Sequence, residues 1–176
     1  MTAAHTKHAA IEARLFKSVM GRFATGVTVV SSALEGRVHC MTANAFMSGS
    51  LEPPLCVIAV GRKTSMHAVL TQARQFGLSM LADEQEKYSR HFGGRPIDGL
   101  HPAFEHVDGT PLLADRLAAL AARVSATHAC GDHSLFVGEI FYMNAEAQGK
   151  PLVFYDGHYA AIVRRPGLEL PIPNFW

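Results

Sequence analysis

The chain has 176 residues, 48% hydrophobic and 18% charged, with a formal net charge of +1 at pH 7. That balance fits one soluble globular domain with a sizeable core and excludes a disordered chain. A charge so near zero leaves no footprint for nucleic acid or an acidic membrane surface.

No apolar run approaches the roughly 20 residues of a membrane span. The start, MTAAHTKHAA, reads as a flexible lead without a signal-peptide core, which predicts a cytoplasmic protein. From about Ala9 to Phe23, Ile11, Leu15, Val19, Met20 and Phe23 recur at helical spacing, with Glu12, Arg14, Lys17 and Arg22 off the stripe. This predicts an amphipathic surface helix. Thr25-Gly26 then precedes a β-prone run, Val27 to Val30, and Glu35-Gly36 marks the turn of a hairpin.

The stretch Met41–Leu55, MTANAFMSGSLEPPL, is dense in hydroxyl and amide groups beside apolar residues. Thr42, Asn44, Ser48 and Ser50 alternate there with Ala43, Ala45, Phe46 and Met47, a wall suited to a flat ligand with polar edges. Pro53-Pro54 ends it, and Leu55–Val60 reads as a buried strand. Arg62-Lys63-Thr64-Ser65 leads into a helix over Met66–Ala73 that Thr64 or Ser65 caps. Two cations, two hydroxyls and free helix amides make it a local candidate for phosphate, set against a plain solvated cap.

Phe76–Leu81 alternates like a strand, and Asp83–Phe92 opens acidic and closes basic, as a helix dipole favours. Residues 97–111 read as loop, with a short strand near Phe104–Val107. Leu117–Val124 (LAALAARV) is helical by propensity, but a long hairpin turning at Gly131-Asp132-His133 into Leu135–Tyr142 competes with that reading. Pro151–Tyr155 and His158–Val163 form a strand–turn–strand unit. The tail, RRPGLELPIPNFW, is a proline-rich arm from residue 164 onward.

Ten histidines invite a metal, yet no HExxH, Cys/His quartet or carboxylate cluster is present. Nucleotide loops of the GxGxxG and GxxxxGK[ST] types are absent, as is GxSxG. Cys40, Cys56 and Cys130 form no CxxC pair and read as reduced thiols, Cys56 as a small buried hydrophobe. Many short strands with two or three helices argue a β-barrel or sandwich.

In order and spacing, five segments resemble the short-chain flavin reductase family: RFATGVTVVSS, MTANAFMSGSLEPPL, FGLSMLADEQEKYSRHFGG, GDHSLFVGEI and PLVFYDGHYAAI. The resemblance implies a mainly β, FMN-binding split β-barrel of Greek-key type with a few flanking helices. It implies reduction of FMN or FAD by NADH or NADPH, a homodimer, and a separate monooxygenase that receives the reduced flavin. It also implies a strand from about Ala121 onward, paired across the GDH turn.

Carried over by position, Thr25, Gly26 and Val27 line the flavin near its ring. Thr42, Ala43, Asn44 and Ala45 face its polar edge or ribityl chain, with Ser48 and Ser50 on the same wall. Ser65 with Arg62 or Lys63 approaches the phosphate, Phe92 helps cover the site, and His133 lies where the nicotinamide approaches. His39-Cys40 departs from the smaller residues many relatives carry before the motif. The competing readings are a flavoprotein that retains FMN and passes electrons to a protein, metal or corrinoid, and a non-catalytic flavin- or haem-binding module.

Overall fold

A computed structural model describes residues 11–146 and 148–163. The start, MTAAHTKHAA, and the proline-rich tail lie outside the described residues. The strands are β1 (Thr25–Gly26), β2 (Thr28–Leu34), β3 (Arg37–Ala43), β4 (Phe46–Ser50), β5 (Leu55–Gly61), β6 (Gln75–Met80), β7 (Phe104–Val107), β8 (Thr110–Leu113), β9 (Ala118–Cys130), β10 (His133–Ala145), β11 (Val153–Tyr155) and β12 (His158–Ala160). Among the described residues three α-helices accompany them: α1 (Ala13–Met20), α2 (Ser65–Ala73) and α3 (Glu86–Phe92).

Seven strands form one antiparallel sheet in the order β3-β2-β6-β9-β10-β5-β4. Laid flat, such a sheet would hold its edges ~29 Å apart at ~4.8 Å per strand spacing. Yet the edge strands β3 and β4 are joined by Asn44 and Ala45 alone, a link that reaches at most ~11 Å between Cα atoms. The sheet therefore curls into a barrel, and its seam runs at Asn44-Ala45. A three-stranded sheet, β1-β11-β12, lies beside it, tied by Val27 N–H to Leu152 O at 3.2 Å and Leu81 N–H to Val27 O at 3.0 Å. The split β-barrel that the resemblance implied is the observed architecture.

The barrel interior follows from strand alternation. In β5, Cys56, Ile58 and Val60 are buried while Leu55, Val57, Ala59 and Gly61 are half-buried on the outer face. Val30, Leu70, Phe76, Leu78, Leu120 and Phe136 complete the main core. Burial pushes the Cys40 thiol up to about 12 and the Cys56 thiol up to about 11. Neither is a nucleophile at neutral pH.

Several local expectations hold for physical reasons. Glu35 and Gly36, both at positive φ, turn β2 into β3, and the Thr64 hydroxyl caps α2 by accepting from His67 N–H. Leu117–Val124 does not form a helix. Strand β9 starts at Ala118 and is laddered on both sides, to β6 and to β10. An isolated eight-residue helix is marginal in water, whereas two ladders satisfy both edges of this backbone. Its alanines suit the place: Ala121 and Ala122 are fully buried, where larger side chains would not fit.

Other boundaries shift. The stretch Asp83–Phe92 divides into a 3-10 turn, Asp83–Gln85, and α3. Thr110–Leu113, of which the first two residues were read as the end of a loop, is a fully buried strand paired with β7. Among the described residues α1 spans only Ala13–Met20, and Phe23 lies beyond it in a turn. Its apolar stripe stays largely uncovered among the described residues: Leu15, Val19 and Met20 are all more than half exposed.

Candidate functional site

Two clefts open on either side of the barrel seam. The larger, about 1090 Å³, is walled by Phe16 and Met20 of α1, by Phe23, and by Thr25, Gly26 and Val27. Asn44, Ala45 and Met47 continue it, with Val57, Ala59 and Leu135 forming its floor on the outer sheet face. Lys17 is the one ionisable residue lining it among those described. The smaller, about 630 Å³, lies between β3, α3 and β12 and takes in Thr42, Ala43, Glu86, Arg90, Arg95, His158 and Tyr159. Val27, Asn44, Phe154 and Gly157 border both, so the two form one continuous depression across the seam.

The larger cleft carries polar groups that the protein leaves unused. Thr25 Oγ1 is buried without a hydrogen-bond partner among the described residues, a state a buried hydroxyl rarely keeps without a ligand or water. The Asn44 and Ala45 carbonyls accept from Phe46 and Ala59 N–H, but their own N–H groups find no backbone acceptor among the described residues. Gly26 leaves open space where a Cβ would stand, with no atom within 4 Å. An apolar trough with an orphan hydroxyl and free amides at its rim fits a flat ring with polar edges.

The other sequence candidates fall in three places. The Thr42 hydroxyl is committed, donating to Ser89 O at 2.7 Å and so tying β3 to α3. Phe92 does not line either cleft. It packs into the lesser core, whose buried members include Val27 and Val29, with Phe104 edge-on at 6.5 Å. Ser48 and Ser50 sit on the edge strand β4 outside both linings.

Arg62, Lys63, Ser65 and His133 also stand outside the linings, but they gather together. Arg62 N–H donates to Asp132 O at 3.0 Å, and its Nε donates to His133 O at 3.2 Å. His133 pairs with Gly61 as Leu135 pairs with Ala59, so this cluster continues the floor of the larger cleft. The offset is two residues per strand, or ~7 Å. The Asp132 carboxylate meets His133 Nδ1 at 2.8 Å. That hydrogen bond, then the charge of His133, and more weakly Lys63, hold the Asp132 carboxyl below its ordinary value. As pH falls through that lowered value the carboxylate, and its tie to His133, are lost.

Arg90, Arg95, His158 and Tyr159 carried no sequence signal as site residues. They reach the seam only because α3 and β12 fold against β3, which no local pattern records. Met20 and Phe23 were legible as part of an apolar stripe, though not as a cleft wall, and Phe16 was not read at all.

A family model described as flavin reductase like domain matches residues 20–163. The chain belongs to the flavin reductase family. It is 40% identical over 149 residues to an NADH-dependent flavin reductase from Rhodococcus sp, covering 83% of this chain and 84% of that one. It is equally 40% identical over 148 residues to the reductase component of 4-hydroxyphenylacetate 3-monooxygenase from Thermus thermophilus, covering 84% and 95%. Among solved structures, the flavin reductase PheA2 superposes with a TM-score of 0.84 at 37% identity, over 88% of this chain and all of that one. No described helix is long and apolar enough to cross a membrane.

Proposed function

We propose that this flavin reductase uses NADH to reduce a flavin seated in the larger cleft and delivers the reduced flavin to a separate monooxygenase component. Bound flavin supplies the acceptor for the hydride that the nicotinamide gives up. The observation that carries the reading is the apolar trough at the barrel seam, with Thr25 Oγ1 buried and unpartnered on its wall. The names of the relatives, an NADH-dependent flavin reductase and a monooxygenase reductase component, support the donor and the partner.

The protein's own work is binding and orientation. Val57, Ala59 and Leu135 give a dry floor for one ring face. Thr25 Oγ1 and the Asn44 and Ala45 amides offer hydrogen bonds to the ring's polar rim, where negative charge builds on reduction. Holding two rings in stacked contact removes most of the entropic cost of their meeting. His133, oriented by Asp132, stands where the floor runs out and is assigned to the nicotinamide. Ser48 and Ser50 are left to the outer edge of the same wall. The uncovered stripe of α1 supports a homodimer in which a second copy covers Ile11, Leu15 and Val19.

The test is NADH oxidation by the purified protein with and without added FMN or FAD. The reading expects oxidation only when flavin is added, with reduced flavin released; no oxidation with either flavin ends it. A tightly held chromophore that never oxidises NADH would point to a binding module instead. His133→Ala is expected to raise KM for NADH roughly tenfold, the worth of one good hydrogen bond, and to leave flavin affinity unchanged. Unaltered kinetics would remove His133 from the site.

A further inference from the structure

We propose that His67, on α2, is a positioning residue for the nicotinamide step: through Ser134 it fixes the start of β10, and with it the ring of His133. This rests on the reading of His133 as the contact for the nicotinamide. Side chains alternate along β10, so Ser134 and Phe136 are buried while His133 is exposed on the opposite face, the face on which Leu135 lines the larger cleft. His67 holds both inward positions at once. Its Nε2 lies 2.9 Å from Ser134 Oγ, and its ring meets Phe136 edge-on at 5.4 Å. A strand gripped at two successive inward positions is held against rotation, and the outward residue beside them is aimed.

His133 needs such an anchor. It is the last rung of the ladders to both β5 and β9, and beyond it the chain turns. Gly131, at φ +59, and Asp132 make that turn, where the Asp132 side chain is 93% exposed. Hairpin tips of this kind open more readily than the strands behind them. On the outer side the His133 ring rests over Gly61, whose added Cβ would stand 3.7 Å from Nε2. Arg62 reaches the carbonyls of Asp132 and His133, but its side chain is exposed and water competes for those bonds. The bond from His67 lies on the sheltered side, where Ser134 is only 6% exposed. Breaking it leaves a buried hydroxyl unpaired, a larger penalty than losing a bond in solvent.

The helix that carries His67 is itself fixed. Met66, Val69 and Leu70 bury it against the core. The His67 N–H donates to the Thr64 hydroxyl at 3.3 Å, and its carbonyl accepts from Thr71 Oγ1 at 2.8 Å. The segment Arg62–Ser65 and the first turn of α2 thus hold the GDH turn from both faces, a role that needs no phosphate.

The experiment is steady-state NADH oxidation by the full chain at saturating flavin, with flavin titration and thermal unfolding alongside. His67→Leu keeps an apolar side chain against Phe136 and removes the hydrogen bond; Ser134→Ala removes it from the other side. Each is expected to raise KM for NADH about fivefold, the effect of losing one hydrogen bond. Turnover and flavin affinity are expected to stay within about twofold. His67→Gln, whose amide stands near the place of Nε2, is expected to restore the wild-type KM. In a His133→Ala background, His67→Leu or Ser134→Ala is expected to add nothing, because the effect runs through His133. An unchanged KM in either variant that folds, a matching loss of flavin affinity, or the same KM rise without His133 overturns the proposal. Wild-type kinetics in His133→Ala alone would instead overturn the reading of His133, and the proposal falls with it.

Discussion

Gly77→Ala is expected to destabilise the protein by about 3 kcal/mol or more, the upper end of what overpacking a core costs. A Cβ built on Gly77 runs into the Pro111 carbonyl, lies 2.6 Å from Leu112 Cδ2 and 2.9 Å from Ser31 Oγ. The first obstacle is backbone, so no rotamer change relieves it. Nor can β8 withdraw cheaply. Ser31 Oγ donates to that same Pro111 carbonyl, and Leu113 N–H donates to Ser79 Oγ at 3.0 Å. Moving the strand would therefore open two buried hydrogen bonds. Urea denaturation gives the measure: the midpoint falls while the slope holds. A loss below about 1 kcal/mol would show that β8 is looser than its hydrogen bonds imply.

Gly26→Val is expected to do the reverse, sparing the fold and closing the site. No protein atom lies within 4 Å of a Cβ placed there, and Gly26 is in β1, where a β-branched residue is at ease. Its new methyl groups enter the larger cleft. On the reading of that cleft as the flavin seat, the ring is displaced by an ångström or more, which costs about 100-fold in productive binding and rate. Thermal unfolding should be nearly unchanged while flavin affinity and flavin-dependent NADH oxidation fall together. Wild-type flavin affinity in this variant would move the ring elsewhere.

How much of this was readable beforehand depends on whether the signal was local. Thr25, Gly26 and Val27 were assigned by the resemblance, Asn44 and Ala45 stood out in the MTANAF wall, and all five line the trough, because strand order brings β1 and the β3–β4 joint to one place. The hairpin turn at Glu35-Gly36 and the Thr64 cap were legible because backbone conformation and side-chain chemistry decide them within a few residues. Local propensity failed at Leu117–Val124, where neighbours on both sides outweighed it. It also gave no reason to join Arg90 and Arg95 to Asn44, since only the packing of α3 on β3 brings them near. The RKTS segment was the best local phosphate candidate, yet its Thr64 hydroxyl and Arg62 guanidinium serve the helix start and the GDH turn.

The two-residue joint at the barrel seam has a consequence for how this chain tolerates changes in length. Loops ordinarily absorb insertions, because the elements they connect are held elsewhere. Asn44 and Ala45 connect the two outermost strands, and among the described residues each of those has a hydrogen-bonded neighbour on one side only. One added residue has to be taken up by sliding β3 along β2 or β4 along β5. A slide of one position turns every side chain of that strand to the opposite face. Met41 and Phe46 would leave the core, and Thr42 would lose its hold on α3. An exposed bend of the barrel is thus among its least extendable.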